Sequence, residues 1–250
     1  MNATLTNHVA PAPADRYSGG NALLDLFGDD LERVAAAIEV LPYGSGALLY
    51  PGHAERDFDY AYFPLDAIAS MIATMNDGSA AEAGTAGREG MVGLALALGA
   101  SRAYERWIVQ IPGRVARIDV ASFRELVADP NGRPARVIAR YVQGFITSLS
   151  QSAACNRLHL LDERCARWLL MTHDRVGRDE FFITHEFLAL MLGVRRSGVS
   201  IAASKLQDEG AISYVRGRVR VRDREALERK SCECYRVIDG ELQRLLADFR

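Results

Sequence analysis

The sequence predicts an α+β fold in three parts: a strand-rich N-terminal half, one long central helix, and a helical C-terminal part that closes on a short β-hairpin. Three observations predict it. Gly and Pro turn signals crowd residues 41–119, helical spacing runs unbroken from Pro134 to about residue 156, and a pair of short amphipathic helices around Gly193 leads into strict alternation at Val219-Arg220-Val221-Arg222. At 250 residues the chain is long for one domain, and two units of roughly 100–150 residues are the expectation.

Residues 1–20 form a Pro/Ala/Asn-rich stretch without a charged-then-apolar signal pattern, and read as a disordered tail. In residues 21–40, Leu23, Leu24, Phe27, Leu31, Val34, Ala35 and Ile38 approach helical spacing, which predicts a short helix or helix pair. Beyond it, Pro42-Tyr43-Gly44, Pro51-Gly52, Phe63-Pro64, Asn76-Asp77-Gly78 and Pro112-Gly113 separate apolar runs at 47–50, 60–63, 67–75, 80–85, 107–111 and 115–118. Turn signals at this density predict many short strands, hence a sandwich or small barrel. Asn76-Asp77-Gly78 marks the clearest hairpin, because these residues tolerate positive φ. Residues 120–127 read as a short helix.

Pro134 suits the first helical position. After it Ile138, Tyr141, Val142, Phe145, Leu149 and Ser152 recur every three to four residues. A two-stranded helical contact repeats near every 3.5 residues, so this stripe predicts a dimer seam; packing on the chain's own core is the other reading. A second amphipathic helix, 158–176, stops near Gly177. The resulting division is a tail (1–20), a strand-rich domain (21–133), a dimerisation helix (134–157), a domain of short helices and a hairpin (158–222) and a helical extension (223–250).

Thr184 can cap a helix whose apolar face is Phe187, Leu188, Met191 and Leu192. Ala189 is small enough for a close helix crossing. Gly193 sits at the turn, where positive φ is expected. A second helix from Arg196 to about residue 209 buries Val199, Ala202, Ala203 and Leu206, and shows Arg195, Arg196, Ser197, Ser200 and Ser204 on its other face. Ile212-Ser213-Tyr214, a turn at Val215-Arg216-Gly217-Arg218 and the alternating run complete a winged helix-turn-helix. Such a second helix enters the major groove with its N-terminal side chains on base edges. Arg196 is the expected base reader, Ser197 and Ser200 are expected on bases or phosphate, and Thr184, Arg195, Arg216 and Arg218 complete the DNA-binding set, the two wing arginines on phosphates.

Charge agrees once it is divided by position. The chain carries net −2, but residues 155–222 carry +4 against −5 before them and −1 after, and the local field is what duplex phosphates meet. Four cysteines, Cys155, Cys165, Cys232 and Cys234, are too few for a disulfide scaffold and suit a reducing cytoplasm. No apolar run reaches the roughly 20 residues of a membrane span. Cys155 and His159, four apart on a helix, could be half of a metal site, but core packing is the expectation, because no second pair stands near in sequence. Cys232-x-Cys234 would need partners the sequence does not identify. An enzyme is not expected: a metal-dependent cupin needs a close His cluster, and the strand-rich region holds only His53.

With Thr184-x(8)-Gly193-x-x-Arg196-x-x-Val199, then Leu206 to Ile212 and the hairpin, the sequence resembles the cyclic-AMP receptor protein (Crp/Fnr) family of bacterial transcription regulators. Gly87-Arg88-Glu89-Gly90-Met91-Val92-Gly93 is similar to its β-roll signature, and Cys232-Glu233-Cys234-Tyr235 to a tail of some members. The resemblance covers nearly the whole chain. It implies a cyclic-nucleotide-binding-like jelly roll as N-terminal domain, a homodimer on a pseudo-palindromic operator, an Arg196 that reads it, and double-stranded DNA, a second copy and RNA polymerase as partners. The family's nucleotide-binding cassette uses a Gly-Glu pair and a later Arg-Ser/Thr pair. Here Gly93 precedes Leu94, and the later stretch is Ser101-Arg102-Ala103-Tyr104. Cyclic nucleotide is therefore not expected, and neither a cofactor nor a metal is assigned; the effector is unknown. Ser197 replaces the acidic partner of the base-reading Arg, which implies a different operator preference. No cysteine precedes Cys155, so the N-terminal iron–sulfur cluster of the oxygen-sensing members is not expected. Two other readings remain: a ligand-independent DNA-binding protein, and a cyclic-nucleotide sensor or docking module whose helical domain contacts protein.

Overall fold

The computed structural model describes residues 17–53 and 57–250, so most of the expected disordered tail lies outside the described residues. Tyr17 is anchored, its hydroxyl 2.6 Å from Asp25 Oδ1. The chain then runs α1 (Ala22–Asp25), a 3-10 helix (Gly28–Ala37), β1 (Ile38–Tyr43), β2 (Leu48–Tyr50), β3 (Tyr60–Pro64), β4 (Ile68–Thr74), β5 (Ala80–Ala86), α2 (Leu94–Ala97), β6 (Arg106–Ile111), β7 (Gly113–Asp119) and α3 (Val120–Leu126). Next come α4 (Arg133–Leu158), α5 (Leu161–Val176), β8 (Glu180–Phe182), α6 (His185–Leu192), α7 (Arg196–Asp208), β9 (Ile212–Val215), β10 (Arg218–Val221), α8 (Arg224–Lys230) and α9 (Cys234–Leu246).

The N-terminal strands form two antiparallel sheets, β1-β7-β3 and β2-β6-β4-β5. Val40, Ala61, Phe63 and Val115 from the first share one buried core with Leu49, Ala69, Trp107 and Val109 from the second. This is the expected roll. The hairpin between β4 and β5 turns at the predicted tripeptide, where Met75 N donates to Ser79 O (2.8 Å) and Asp77 Oδ1 accepts from Ser79 N (2.9 Å). Asn21 locks α1 to the roll. Its side chain accepts from Leu23 N and Leu24 N and donates to Pro64 O and Gly90 O, both at 2.8 Å.

Residues 21–37 hold the expected short helix pair, as α1 and the 3-10 helix, but the end of the segment is corrected: Ile38 already opens β1, pairing with Ile118 of β7. The i, i+4 step from Val34 to Ile38 mimics a helix, yet Ile38 and Val40 alternate inward around half-buried Glu39. Pro42 is tolerated in β1 because that strand lies at the sheet edge. Pro134 is the second helical residue, after Arg133 and the N-cap Gly132. The helix predicted from residue 158 begins at Leu161. α4 runs to Leu158, and Glu163 accepts from Leu160 N (2.9 Å) to start the next helix.

The face of α4 predicted as a dimer seam is also corrected. Ile138, Tyr141 and Phe145 are buried in the roll's own core, with Val142 and Leu149 packed against it. The outward face is Ala139, Gln143, Ile146, Ser150, Ala153 and Arg157, all exposed, and these positions repeat at steps of four and three.

The C-terminal part has its own core, made by α5, α6, α7 and the three-stranded sheet β8-β10-β9. Ile72 of β4 belongs to that second core, so the outer face of one roll sheet packs on the helical part. Trp168 Nε1 donates to Glu82 Oε1 (3.0 Å), and Arg175 pairs with Glu89 (2.8 Å) across the same boundary.

Candidate nucleic-acid interface

Thr184 caps α6 as predicted, its Oγ1 accepting from Phe187 N at 3.2 Å. Leu188, Ala189, Met191 and Leu192 then bury one face of the helix. Gly193 ends it at φ +64°, a left-handed conformation that costs a residue with a Cβ. α7 leaves at 104° to α6, within the 90–120° of a helix-turn-helix. Val199, Ala202, Ala203 and Leu206 form its buried face.

The first turn of α7 has no side-chain cap on Arg195. Its leading N–H groups and the positive end of the helix dipole therefore face whatever anion approaches. Arg195, Arg196 and Ser197 are exposed around that end. Arg196 Nε lies 2.6 Å from Glu186 Oε1, both side chains about two-thirds exposed. An ion pair so open to water is weak, and it holds the guanidinium beside α6.

Ser200 differs from its expected role. It is half-buried, with Oγ 3.0 Å from His185 Nδ1 and donating to Arg196 O (3.2 Å). His185 stacks edge-on with Tyr214 at 4.4 Å, and desolvation, helped by nearby Arg196, pulls its pKa down. Ser200 thus ties α7 to α6.

Two exposed residues on α7 escaped sequence reading. Ile201 is 63% exposed and stands one turn after Ser197; an apolar side chain there fits a thymine methyl. Lys205 is exposed one turn further on and pairs with Asp162 at 3.1 Å. Helical spacing from Arg196 and Ser197 would have found both.

The wing turn has φ +48° at Arg216 and +81° at Gly217, the positive pair of a type I′ hairpin. It thrusts Arg216 to the tip, where no ion pair holds it among the described residues. The arginine face of β10 is partly neutralised. Arg218 and Arg220 both pair with Glu180 (3.0 and 3.1 Å), whose pKa falls as a result, and Arg222 donates to Ser213 (3.1 Å). Glu180 sits on β8, a three-residue strand too short to show periodicity.

The family described as the Crp-like helix-turn-helix domain matches residues 163–230. This is a Crp/Fnr fold with a Crp-like helix-turn-helix domain. The whole-chain likeness agrees: FixK2 from Bradyrhizobium japonicum superposes at a TM-score of 0.66 with 16% identity, over 78% of this chain and 98% of that one. TTHB099, a CRP-family transcriptional regulator from Thermus thermophilus, gives 0.61 with 20% identity over 76% and 95%. The c-di-GMP-responsive global regulator CLP of Xanthomonas campestris gives 0.59 with 17% identity over 78% and 98%. No curated protein sequence matches the chain. The Crp-like domain thus spans α5 through α8, and no single helix among the described residues is long and apolar enough to cross a membrane.

Between the roll and α4 lies a cavity of about 170 Å³, lined by Tyr50, Phe58, Leu98, Trp107, Phe145 and Ile146 among others. Among the described residues, Glu105 is the one charged group lining it. Arg102 is not among the lining residues and forms an exposed pair with Asp57 at 2.7 Å.

Proposed function

We propose that this chain is a homodimeric transcription regulator that reads a pseudo-palindromic site in double-stranded DNA through α7. The observation that carries the reading is the uncapped N-terminus of α7, set at 104° to α6 and ringed by exposed Arg195, Arg196 and Ser197. Arg196 takes guanine O6 and N7 together after leaving Glu186, Ile201 meets a thymine methyl, and Thr184, Arg216 and Arg218 meet backbone phosphates. Dimerisation runs along the outward face of α4, where Ala139, Gln143, Ile146, Ser150 and Ala153 keep heptad spacing, exposed Ile146 flanked by small Ala139, Ser150 and Ala153.

The roll is read as the signal-receiving domain. Its cavity supports an uncharged, apolar effector, because a cyclic phosphate would enter beside Glu105 with no cation among the described lining residues to receive it. Phe145 and Ile146 line the cavity from α4, so a ligand there bears on the same helix that forms the dimer. A signal acts if the two packings of α4 differ in DNA affinity. The protein acts in the cytoplasm and contacts RNA polymerase when bound at a promoter.

Selection of bound fragments from random DNA tests the central claim. The expected result is an inverted repeat whose half-sites lie about one helical turn, roughly 34–36 Å, apart. Recovery of fragments without any shared motif would overturn it. Calorimetric titration with cyclic AMP and cyclic GMP is expected to show no heat of binding; a saturable signal would restore the nucleotide-sensor reading.

A further inference from the structure

The last turn of α4 carries Cys155 and the residue that caps it is His159, and the residues just before and at the start of α9 are Cys232 and Cys234. Seventy-odd residues separate the two pairs in sequence, and folding returns one to the other. α9 runs back along α4 in the opposite direction: Leu242 and Leu245 approach Gly144, and the ring of Phe249 lies near the guanidiniums of Arg133 and Arg136.

At the head of this helix pair Cys155 Sγ and Cys232 Sγ are 3.5 Å apart, and Cys234 Sγ is 3.4 Å from His159 Nδ1. All four ligand atoms lie within 4.8 Å of one another. Tetrahedral bonds of about 2.3 Å to sulfur and 2.0–2.1 Å to nitrogen place ligand atoms roughly 3.5–3.8 Å apart. The 3.4 and 3.5 Å spacings match this, and with the remaining pairs inside 4.8 Å small side-chain rotations close the set on one ion.

The surroundings are those of such a site. The three cysteines are buried and His159 is half-buried. The other ring nitrogen, His159 Nε2, lies 3.2 Å from Glu233 Oε2, the carboxylate contact that orients a metal-binding imidazole. Gln151 Nε2 donates to Cys234 Sγ at 3.2 Å. On the facing helix α5, the buried Nε atoms of Arg164 and Arg167 have no hydrogen-bond partner among the described residues. Three thiolates around a divalent ion carry one net negative charge, which buried guanidiniums beside them would balance.

We infer that Cys155, His159, Cys232 and Cys234 bind a single zinc ion that staples α9 to the end of α4. Three sulfurs and one nitrogen fill a tetrahedron, so the ion is structural and has no open position for a substrate; soft thiolates favour zinc over magnesium or calcium. The site sits where α4 hands over to α5 and the Crp-like domain, and it braces that joint. Binding requires deprotonated cysteines and releases their protons. The inference stands apart from the DNA reading, since it concerns residues outside α6, α7 and the wing.

The test uses the full-length reduced protein. Elemental analysis is expected to find one zinc per chain. After chelation, cobalt(II) alone should restore the intense visible bands of a tetrahedral thiolate site, and zinc should bleach them. Cys232→Ser and Cys234→Ser should abolish the bands, Cys165→Ser, buried in the other core, should keep them, and His159→Cys should keep binding with a spectrum shifted toward four sulfurs. A folded wild-type chain that takes up neither metal overturns the inference whatever the variants do. So does a Cys232→Ser protein with unaltered cobalt bands.

Discussion

At the scale of single residues, each side chain on the surface proposed to face DNA is judged by what already holds it. Among the described residues the Arg196 side chain pairs with one exposed glutamate, at 2.6 Å, so its transfer to a guanine costs little. Arg196→Ala is expected to weaken binding to the selected site by about 1–3 kcal/mol and to leave binding to random DNA nearly unchanged. Equal losses on both, measured by fluorescence anisotropy, would remove it from base reading. Arg216 has no such partner among the described residues, whereas Arg218 and Arg220 share Glu180. Arg216→Ala should therefore lower the slope of log K against log salt by about one phosphate contact and spare specificity; an unaltered slope would take the wing tip off the backbone. The sequence identified both arginines through their setting in the turn and helix. It could not reveal that Ser200 is spent on His185 and the backbone of α7, because that contact joins positions 15 residues apart.

Among elements, α4 shows most clearly what periodicity can and cannot say. Ile138, Tyr141, Phe145 and Leu149 mark an apolar stripe correctly, and the roll takes it. A second stripe, poorer in large apolar residues, faces out, and Ile146 at 57% exposure stands in its middle. Ile146→Glu is expected to convert a dimer to monomers in sedimentation velocity with little change in unfolding temperature. Phe145→Ala, by contrast, should cost about 3 kcal/mol of stability through the cavity it leaves. If Ile146→Glu stays dimeric, the seam lies elsewhere. The strands of the roll were legible from their turns. β1 was not, since its inward alternation overlaps a helical step, and β8 was too short to announce itself.

For the molecule as a whole, the boundary between the roll and the Crp-like domain carries a titratable contact. Glu82 accepts hydrogen bonds from Ser70 (2.8 Å) and Trp168 (3.0 Å). Burial pushes its carboxyl from 4.5 up to about 7, although those hydrogen bonds and the charges of Arg175 and Arg167 pull the other way. A carboxyl raised in the native state favours folding while it is protonated in both states, below about pH 4.5, and that contribution is lost as pH rises toward 7. Glu82→Gln should flatten this dependence and raise stability at pH 8 by about 1–2 kcal/mol, the residue as a whole keeping some exposure; urea unfolding at pH 5 and pH 8 with equal differences from wild type would refute the linkage. What the sequence by itself determined is the sequence of parts (strand-rich half, long central helix, helical part closing on a hairpin), the helix-turn-helix with its cap at Thr184 and turn at Gly193, and the basic segment around them. These follow from local rules: periodicity, capping and turn chemistry act over a few residues. Only the tertiary structure decided which face of α4 is buried, that Glu180 neutralises the wing strand, that the described lining of the cavity against α4 lacks a cation, and that Cys232 and Cys234 return to Cys155 and His159. Each of these depends on chain segments meeting across long separations, and packing sets those meetings where no local spacing records them.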